Sequence, residues 1–104
     1  MGRRTSATGQ LEAGDFILSL EVTMYSSNYC GFCVRALRLL ESKGVDVTEL
    51  NVDGDRNLRK QMMQKSGRHT VPQIWIGDQH IGGCDDLYRL ERAGKLDSLL
   101  NINN

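Results

Sequence analysis

The fold is decided by residues 20–44, which read LEVTMYSSNYCGFCVRALRLLESKG. Residues 20–25 alternate in polarity and include β-branched side chains, which is typical of a strand. Over residues 32–43 the apolar side chains recur at helical spacing, and the glycine that follows marks the end of a helix. A short loop joins the two elements, so Cys30 and Cys33 lie where a strand gives way to a helix.

The segments that follow extend this pattern along the chain. We predict further strands over residues 45–52, 73–76 and 79–81, and further helices over residues 56–66 and 85–100, the last one interrupted at Gly94. Asp55 is placed to cap helix 56–66 and Gly67 to end it, and the turn at Gly77 joins two strands into a hairpin. The order β-α-β-α-β-β-α predicts an α/β fold in which a βαβ unit and an antiparallel hairpin form a four-stranded mixed sheet with helices on both faces.

Both of the first two predicted helices have an apolar side, which we expect to face the sheet. The inward positions of helix 32–43 are Val34, Leu37 and Leu40, with Ala36 and Leu39 beside them. The inward positions of helix 56–66 are Leu58, Met62 and Met63. Trp75 lies in a short apolar strand and is expected in the core.

Length and composition restrict the class of protein. The chain has 104 residues, enough for one domain with its own core. Thirteen basic residues balance thirteen acidic ones, so no net charge favours nucleic acid or an anionic membrane as a partner. No apolar run approaches the roughly 20 residues of a transmembrane helix. Three cysteines, an odd number, do not suit a secreted disulfide scaffold, and we expect a reducing, cytoplasmic location.

The beginning of the chain differs from the rest. Its first ten residues, MGRRTSATGQ, are polar and show no periodicity. We interpret residues 1–19 as a flexible leader or a remnant of expression, and residues 20–104 as the folded domain.

The two close cysteines are the candidate reactive groups. Cys30 falls at the start of a helix, where unpaired N–H groups and the helix dipole favour a thiolate. A cysteine in such a place can have a pKa between about 3.5 and 7.5 instead of about 8.5. Cys33 lies one turn further along, close enough to attack a mixed disulfide formed at Cys30. The placement therefore predicts that Cys30 is the nucleophile and Cys33 the resolving thiol.

Other uses of these residue types are weighed against this interpretation. Cys30 and Cys33 could bind structural zinc if Cys84 and either His69 or His80 completed the ligand set. Such sites usually show a second close pair of ligands, and none is present in the sequence, so no metal site is predicted. Cys84 by itself is interpreted as a buried small residue, and the two histidines as surface or strand residues.

Three separate blocks resemble the signature segments of a glutaredoxin. They are Tyr29-Cys30-Gly31-Phe32-Cys33, Thr70-Val71-Pro72 and Gly82-Gly83-Cys84-Asp85-Asp86-Leu87. The resemblance runs from about residue 20 to residue 100 and is closest to the short bacterial dithiol members, of the glutaredoxin 3 kind. It implies a thioredoxin fold and a monomeric, glutathione-dependent thiol–disulfide oxidoreductase. Its partners would be glutathione and glutathionylated or disulfide-containing proteins, with glutathione reductase and NADPH returning the electrons.

The resemblance also implies which residues hold glutathione. A cis peptide bond would precede Pro72, and the backbone of Thr70 and Val71 would pair with the tripeptide as an added strand. The turn at Gly83 and the backbone amides of Cys84 and Asp85 would hold the γ-glutamyl end, as a helix N-terminus holds an anion. The remaining implied contacts are Arg59 to the glycyl carboxylate, the Asp85 side chain to the γ-glutamyl ammonium, and Tyr29 and Phe32 on either side of the sulfur.

Three positions depart from the family pattern. Many glutaredoxins have Pro-Tyr where this chain has Gly31-Phe32, and a lysine where it has Ser27. A small residue after the nucleophile resembles members that bind a [2Fe–2S] cluster between two subunits, through two such cysteines and two glutathiones. A cluster-binding dimer that uses Cys30 therefore stays open as the alternative, although Cys33 stands where those members have serine.

Overall fold

A computed structural model describes residues 21–102, and the predicted leader, residues 1–19, lies outside this part of the chain. The strands are β1 (Val22–Ser26), β2 (Val47–Asn51), β3 (Gln73–Ile76) and β4 (Gln79–Gly82). The helices are α1 (Gly31–Ser42), α2 (Arg56–Ser66), α3 (Cys84–Arg92) and α4 (Leu96–Leu99). The predicted order is confirmed, and the last helix is divided in two at Gly94, where φ is 73°. None of the helices within residues 21–102 is long and apolar enough to cross a bilayer.

The four strands form one mixed sheet in the order β2-β1-β3-β4. β1 is parallel to β2 and antiparallel to β3, and β3 is antiparallel to β4. Tyr25, near the end of β1, pairs with Gln73 at the start of β3, and Gly82, at the end of β4, pairs with Ile74. The loops after β1, before β3 and after β4 therefore meet at one end of the sheet, which is where the candidate residues lie.

Apolar side chains cover both faces of this sheet, because alternate residues of each strand point to opposite faces. On one face the inward residues of β1 and β3 pack against α1, α3 and α4. They are Val22, Met24, Ile74 and Ile76, which meet Cys33, Ala36, Leu40, Cys84, Leu87, Leu96 and Leu100. On the other face Tyr25, Val52 and Trp75 pack against Met62 of α2. The core position predicted for Trp75 is confirmed, since only 5% of the residue is exposed.

The expected inward side of the helices is wrong at two positions. Val34 is 47% exposed, and Cys33 instead shares the buried stripe of α1 with Ala36 and Leu40. Met63 is 42% exposed, while its neighbour Met62 is fully buried. Adjacent residues of a helix are rotated by about 100° around its axis, so helical spacing alone can assign the buried side to either of two neighbours. The position of the sheet decides which of the two is buried.

Lys43 links the end of α1 to the last two helices. Its Nζ lies 2.7 Å from Glu91 in α3 and 2.8 Å from Asp97 in α4. The hydrogen bonds to Asp97 and Glu91 raise the pKa of Lys43 above its ordinary value. The ammonium group therefore stays charged at neutral pH and holds α3 and α4 against α1.

Candidate active site

Cys30 is the residue that precedes α1 and caps it. Its backbone is extended, with φ −107° and ψ 102°, and its Sγ accepts a hydrogen bond from the N–H of Cys33 at 3.1 Å. Cys30 and Cys33 are joined as a disulfide, with their Cα atoms 5.2 Å apart. Cys33 is buried, whereas Cys30 is only partly buried and forms the outer end of the pair. The sulfur of Cys30 thus lies at the helix N-terminus that the sequence predicts.

A polar network holds the loop that leads to Cys30. The N–H of Asn28 donates to Asp53 Oδ2 at 2.7 Å, and Asn51 Nδ2 donates to Asn28 Oδ1 at 2.9 Å. The loop is thereby tied to the end of β2. Tyr29 follows in the left-handed region, with φ 58°, and its side chain is fully exposed. This network was not predicted, because it joins residues more than 20 positions apart.

The segment before β3 lies opposite the sulfur. The Val71–Pro72 peptide bond is cis, as the family resemblance implies. The carbonyl oxygen of Val71 lies 4.0 Å from Cys30 Sγ. No described residue accepts a hydrogen bond from the N–H of Val71. An extended peptide could therefore pair with Val71 directly beside Cys30.

A cleft of about 190 Å³ runs from this segment to the start of α3. It is lined by Phe32, Arg68, Thr70, Val71, Pro72, Gly83, Cys84, Asp85 and Asp86. Most of the predicted glutathione contacts are thus brought together in one place. Arg59 instead lines a separate pocket with Val52, Gly54, Asp55 and Arg56, and Tyr29 lines neither.

Arg68 and Asp86 line the cleft but are absent from the site residues predicted from the sequence. Asp86 Oδ2 accepts from the N–H of Gly83 at 2.9 Å and from Arg68 Nη1 at 3.0 Å, while Oδ1 accepts from Arg89 Nη1 at 3.0 Å. The hydrogen bond from Gly83, helped by the two guanidinium groups, lowers the pKa of Asp86. The sequence does contain the signal for this arrangement, which is an acidic residue at the third position of a helix.

The two glycines before α3 are required by close packing. Gly82 has φ 114°, and a Cβ added there would collide with the Asp86 carboxylate. A Cβ added to Gly83 would lie 3.3 Å from the carbonyl oxygen of Pro72, which is tighter than ordinary contact. The absence of side chains therefore allows the start of α3 to approach the Pro72 segment and close the cleft.

Cys84, the third cysteine, lies on the floor of the cleft. It is a free thiol and only 5% exposed. Burial raises the pKa of this thiol, which keeps it protonated and poorly nucleophilic near neutral pH. Cys84 therefore packs as a small buried residue, as predicted. Residues 21–102 contain no group of three or more His, Cys, Asp or Glu side chains that could hold a metal ion.

Comparison with known proteins points to one family. A glutaredoxin family model matches residues 22–81. A glutaredoxin of Pseudomonas aeruginosa is 55% identical over 80 residues, covering 77% of this chain and 95% of the relative. Glutaredoxin 3 of Escherichia coli K12 is 54% identical over 79 residues, covering 76% and 95%. The crystal structure of a buckwheat glutaredoxin–glutathione complex superposes with a TM-score of 0.72 at 32% identity, covering 85% of this chain and 83% of that one.

Proposed function

This chain belongs to the glutaredoxin family and is a thiol–disulfide oxidoreductase, and on that premise we propose that Cys30 is its attacking thiol, Cys33 its resolving thiol and glutathione its reductant. The position of Cys30 Sγ, at the N-terminus of α1 and 4.0 Å from the Val71 carbonyl, is the observation that carries the proposal. The unpaired amides of α1 favour a negative charge on this sulfur.

The exchange proceeds by thiolate attack on disulfide sulfur. The Cys30 thiolate attacks a substrate disulfide, the substrate S–S bond breaks, and the leaving thiolate takes a proton from water. The Cys33 thiolate then attacks Cys30 Sγ in the mixed disulfide and releases the substrate as a second thiol. The product is the Cys30–Cys33 disulfide present in this structure. Two glutathione molecules reduce it and leave as glutathione disulfide.

The cleft supports glutathione as the reductant. The N–H of Val71, which donates to no described residue, and the Val71 carbonyl can pair with the cysteinyl unit of the tripeptide, beside Thr70 and Pro72. Gly83, Cys84 and Asp85 line the same cleft at the start of α3, and the backbone amides of Cys84 and Asp85 suit a carboxylate, whereas that of Gly83 already donates to Asp86. The buckwheat relative forms a complex with glutathione, and we infer the same ligand here.

Three further contacts are proposed, one to the glycyl end of the ligand and two beside the sulfur of Cys30. We propose that Arg59 reaches from its separate pocket to the glycyl carboxylate, because the guanidinium of Arg68 within the cleft is already paired with Asp86. Phe32 is 57% exposed at the rim of the cleft and shields one side of the sulfur. Tyr29 extends on the other side, where a protein substrate would meet it.

Disulfide exchange is better supported than cluster assembly. A shared [2Fe–2S] cluster would need the Cys30 thiolate of each of two subunits to stay bound to iron, whereas Cys33 lies close enough to form a disulfide with Cys30. The family evidence likewise supports oxidoreductase activity for this pair. We propose that the protein acts as a monomer in the cytoplasm, where glutathione reductase and NADPH regenerate glutathione.

A glutathione-coupled assay on wild type, Cys30→Ser and Cys33→Ser tests this proposal. With a glutathionylated peptide as substrate, Cys30→Ser should be inactive, and Cys33→Ser should keep most of its activity because a second glutathione can resolve the mixed disulfide. With a protein disulfide as substrate, Cys33→Ser should lose most activity. Serine at position 30 keeps an oxygen that can cap α1, so this variant should fold normally. Activity in Cys30→Ser would overturn the assignment.

A further inference from the structure

Gln73 is a fully buried polar side chain directly behind the cleft, and the exchange reaction makes no use of it. Its Nε2 lies 3.0 Å from the carbonyl oxygen of Thr70 and 3.2 Å from the Thr70 hydroxyl. Its Oε1 lies 2.8 Å from Nε2 of His80, on the neighbouring strand β4. A chain of hydrogen bonds thus runs from His80 through Gln73 to Thr70, which lines the cleft.

The chemistry of the partners fixes the direction of each bond in this chain. The Thr70 carbonyl can only accept, so the group facing it must be the amide nitrogen of Gln73. Gln73 Oε1 therefore faces His80 and can only accept, which places a hydrogen on His80 Nε2. The Thr70 hydroxyl accepts from Gln73, and its own hydrogen is left for an acceptor in the cleft.

Packing holds the imidazole end of the chain in place. The ring of His80 lies 4.7 Å from the ring of Trp75, and Lys65 Nζ lies 4.8 Å from that Trp75 ring. Burial lowers the pKa of His80, and the positive charge of Arg68 lowers it further. His80 is therefore neutral near neutral pH, with its Nε2 hydrogen committed to Gln73.

We propose that Gln73 and His80 are positioning residues, which hold the Thr70 hydroxyl as a hydrogen-bond donor toward an acceptor oxygen of bound glutathione. This inference rests on the proposed function, because it assumes that glutathione occupies the cleft. Neither residue touches the ligand. Their effect is transmitted through Thr70 and should therefore alter the KM for a glutathionylated substrate and leave kcat unchanged.

A double-mutant cycle between Gln73 and Thr70 tests the coupling. Gln73→Met keeps the volume but removes every hydrogen bond of the amide, and Thr70→Val removes the hydroxyl. Each should raise the KM for a glutathionylated peptide by about three- to ten-fold, the effect of one lost hydrogen bond, with kcat within two-fold of wild type. The double variant should be no worse than either single one, because both changes abolish the same hydrogen bond, from the Thr70 hydroxyl to glutathione. Thr70→Ser keeps the hydroxyl and should therefore have the wild-type KM.

Two further variants separate this role from a general effect on folding. His80→Phe keeps a ring against Trp75 but breaks only the bond to Gln73, and should raise KM even if Gln73→Met does not fold. Lys65→Met removes the cation on Trp75 without touching the chain of hydrogen bonds, and should leave KM and kcat unchanged. If the wild type is active with glutathione, the inference would be overturned by additive increases of KM in the double variant or by an unchanged KM in His80→Phe. Wild-type activity that does not depend on glutathione would instead overturn the proposed function.

Discussion

At the scale of single residues, Asp86 joins the two elements that enclose the cleft. Its carboxylate accepts the N–H of Gly83 within its own helix turn and pairs with Arg68, 18 positions earlier in the chain. Its side chain is 27% exposed, so these bonds are only partly screened by solvent. Asp86 thus fixes the start of α3 relative to the segment that carries Thr70 and Val71.

Replacing Asp86 by asparagine should lower the free energy of unfolding by about 1–2 kcal/mol at pH 7, because the charge that serves three donors is lost. The folded-state pKa of Asp86 is lowered from 3.8, so the unfolded chain takes up this proton first as the pH falls. The stabilisation is therefore present above about pH 3.8 and disappears as the pH falls through the folded value. The difference in the free energy of unfolding between wild type and Asp86→Asn should therefore become smaller as the pH falls, and urea unfolding at a series of pH values measures it.

The neighbouring carboxylate supplies the control for this experiment. Asp85 is exposed and forms no ion pair among the described residues. Asp85→Asn should lower stability by less than about 1 kcal/mol, the range of a charge near a helix N-terminus. Equal losses of stability in the two variants, or a difference between wild type and Asp86→Asn that does not narrow as the pH falls below 3.8, would contradict the assigned role.

At the scale of elements, α2 is delimited by its own residues. The Asp55 side chain accepts from the N–H of Leu58 at 3.0 Å, and Gly67 ends the helix in the left-handed region with φ 73°. The helix covers the second face of the sheet through Met62 and carries Arg59. Its end leads directly into the segment with Arg68 and Thr70, so its stability bears on one wall of the cleft.

Asp55→Ala should lower the free energy of unfolding by about 0.5–2 kcal/mol, because an N–H at the start of α2 loses its acceptor. Asp55→Ser keeps an oxygen acceptor and should stay within about 0.5 kcal/mol of wild type. Urea unfolding measures both values, and hydrogen exchange should show faster exchange at the start of α2 in Asp55→Ala alone. Equal loss in both variants would show that the capping bond is not the cause.

At the scale of the whole molecule, the domain is stabilised by two apolar layers on opposite faces of one sheet. Leu87 of α3 lies in the first layer and Met62 of α2 in the second, and both are fully buried. The central strands β1 and β3 contribute to both layers, so loss of packing on either face destabilises the same sheet. The loops that form the site all leave this sheet at one end.

Leu87→Ala and Met62→Ala should each lower the free energy of unfolding by about 2–5 kcal/mol, because each leaves a cavity in a packed layer. Met63→Ala is a matched control, since Met63 is adjacent to Met62 but 42% exposed. It should change stability by less than about 0.5 kcal/mol. Thermal unfolding followed by circular dichroism measures all three, and equal effects of Met62→Ala and Met63→Ala would refute the assigned facing of α2.

Local structure could be predicted well from the sequence, because it depends on residues only a few positions apart. The strand before Cys30, the cap at Asp55 and the end of α2 at Gly67 follow from neighbouring residues, and all are present in the structure. The side of each helix that faces the sheet was harder to predict. Val34 and Met63 fit the helical pattern, but Cys33 and Met62 occupy the buried positions, because the direction of the sheet decides between neighbours.

For the site, the sequence by itself determined the order of elements, the pair of close cysteines and their place at the start of a helix. Only the tertiary structure decided that Val71 lies 4.0 Å from the Cys30 sulfur, that Arg59 lies in a separate pocket, and that Asp86 and Gln73 support the cleft. The physical reason is distance along the chain. Periodicity and capping act over one or two turns, whereas the cleft exists because antiparallel strands bring three distant loops to one end of the sheet.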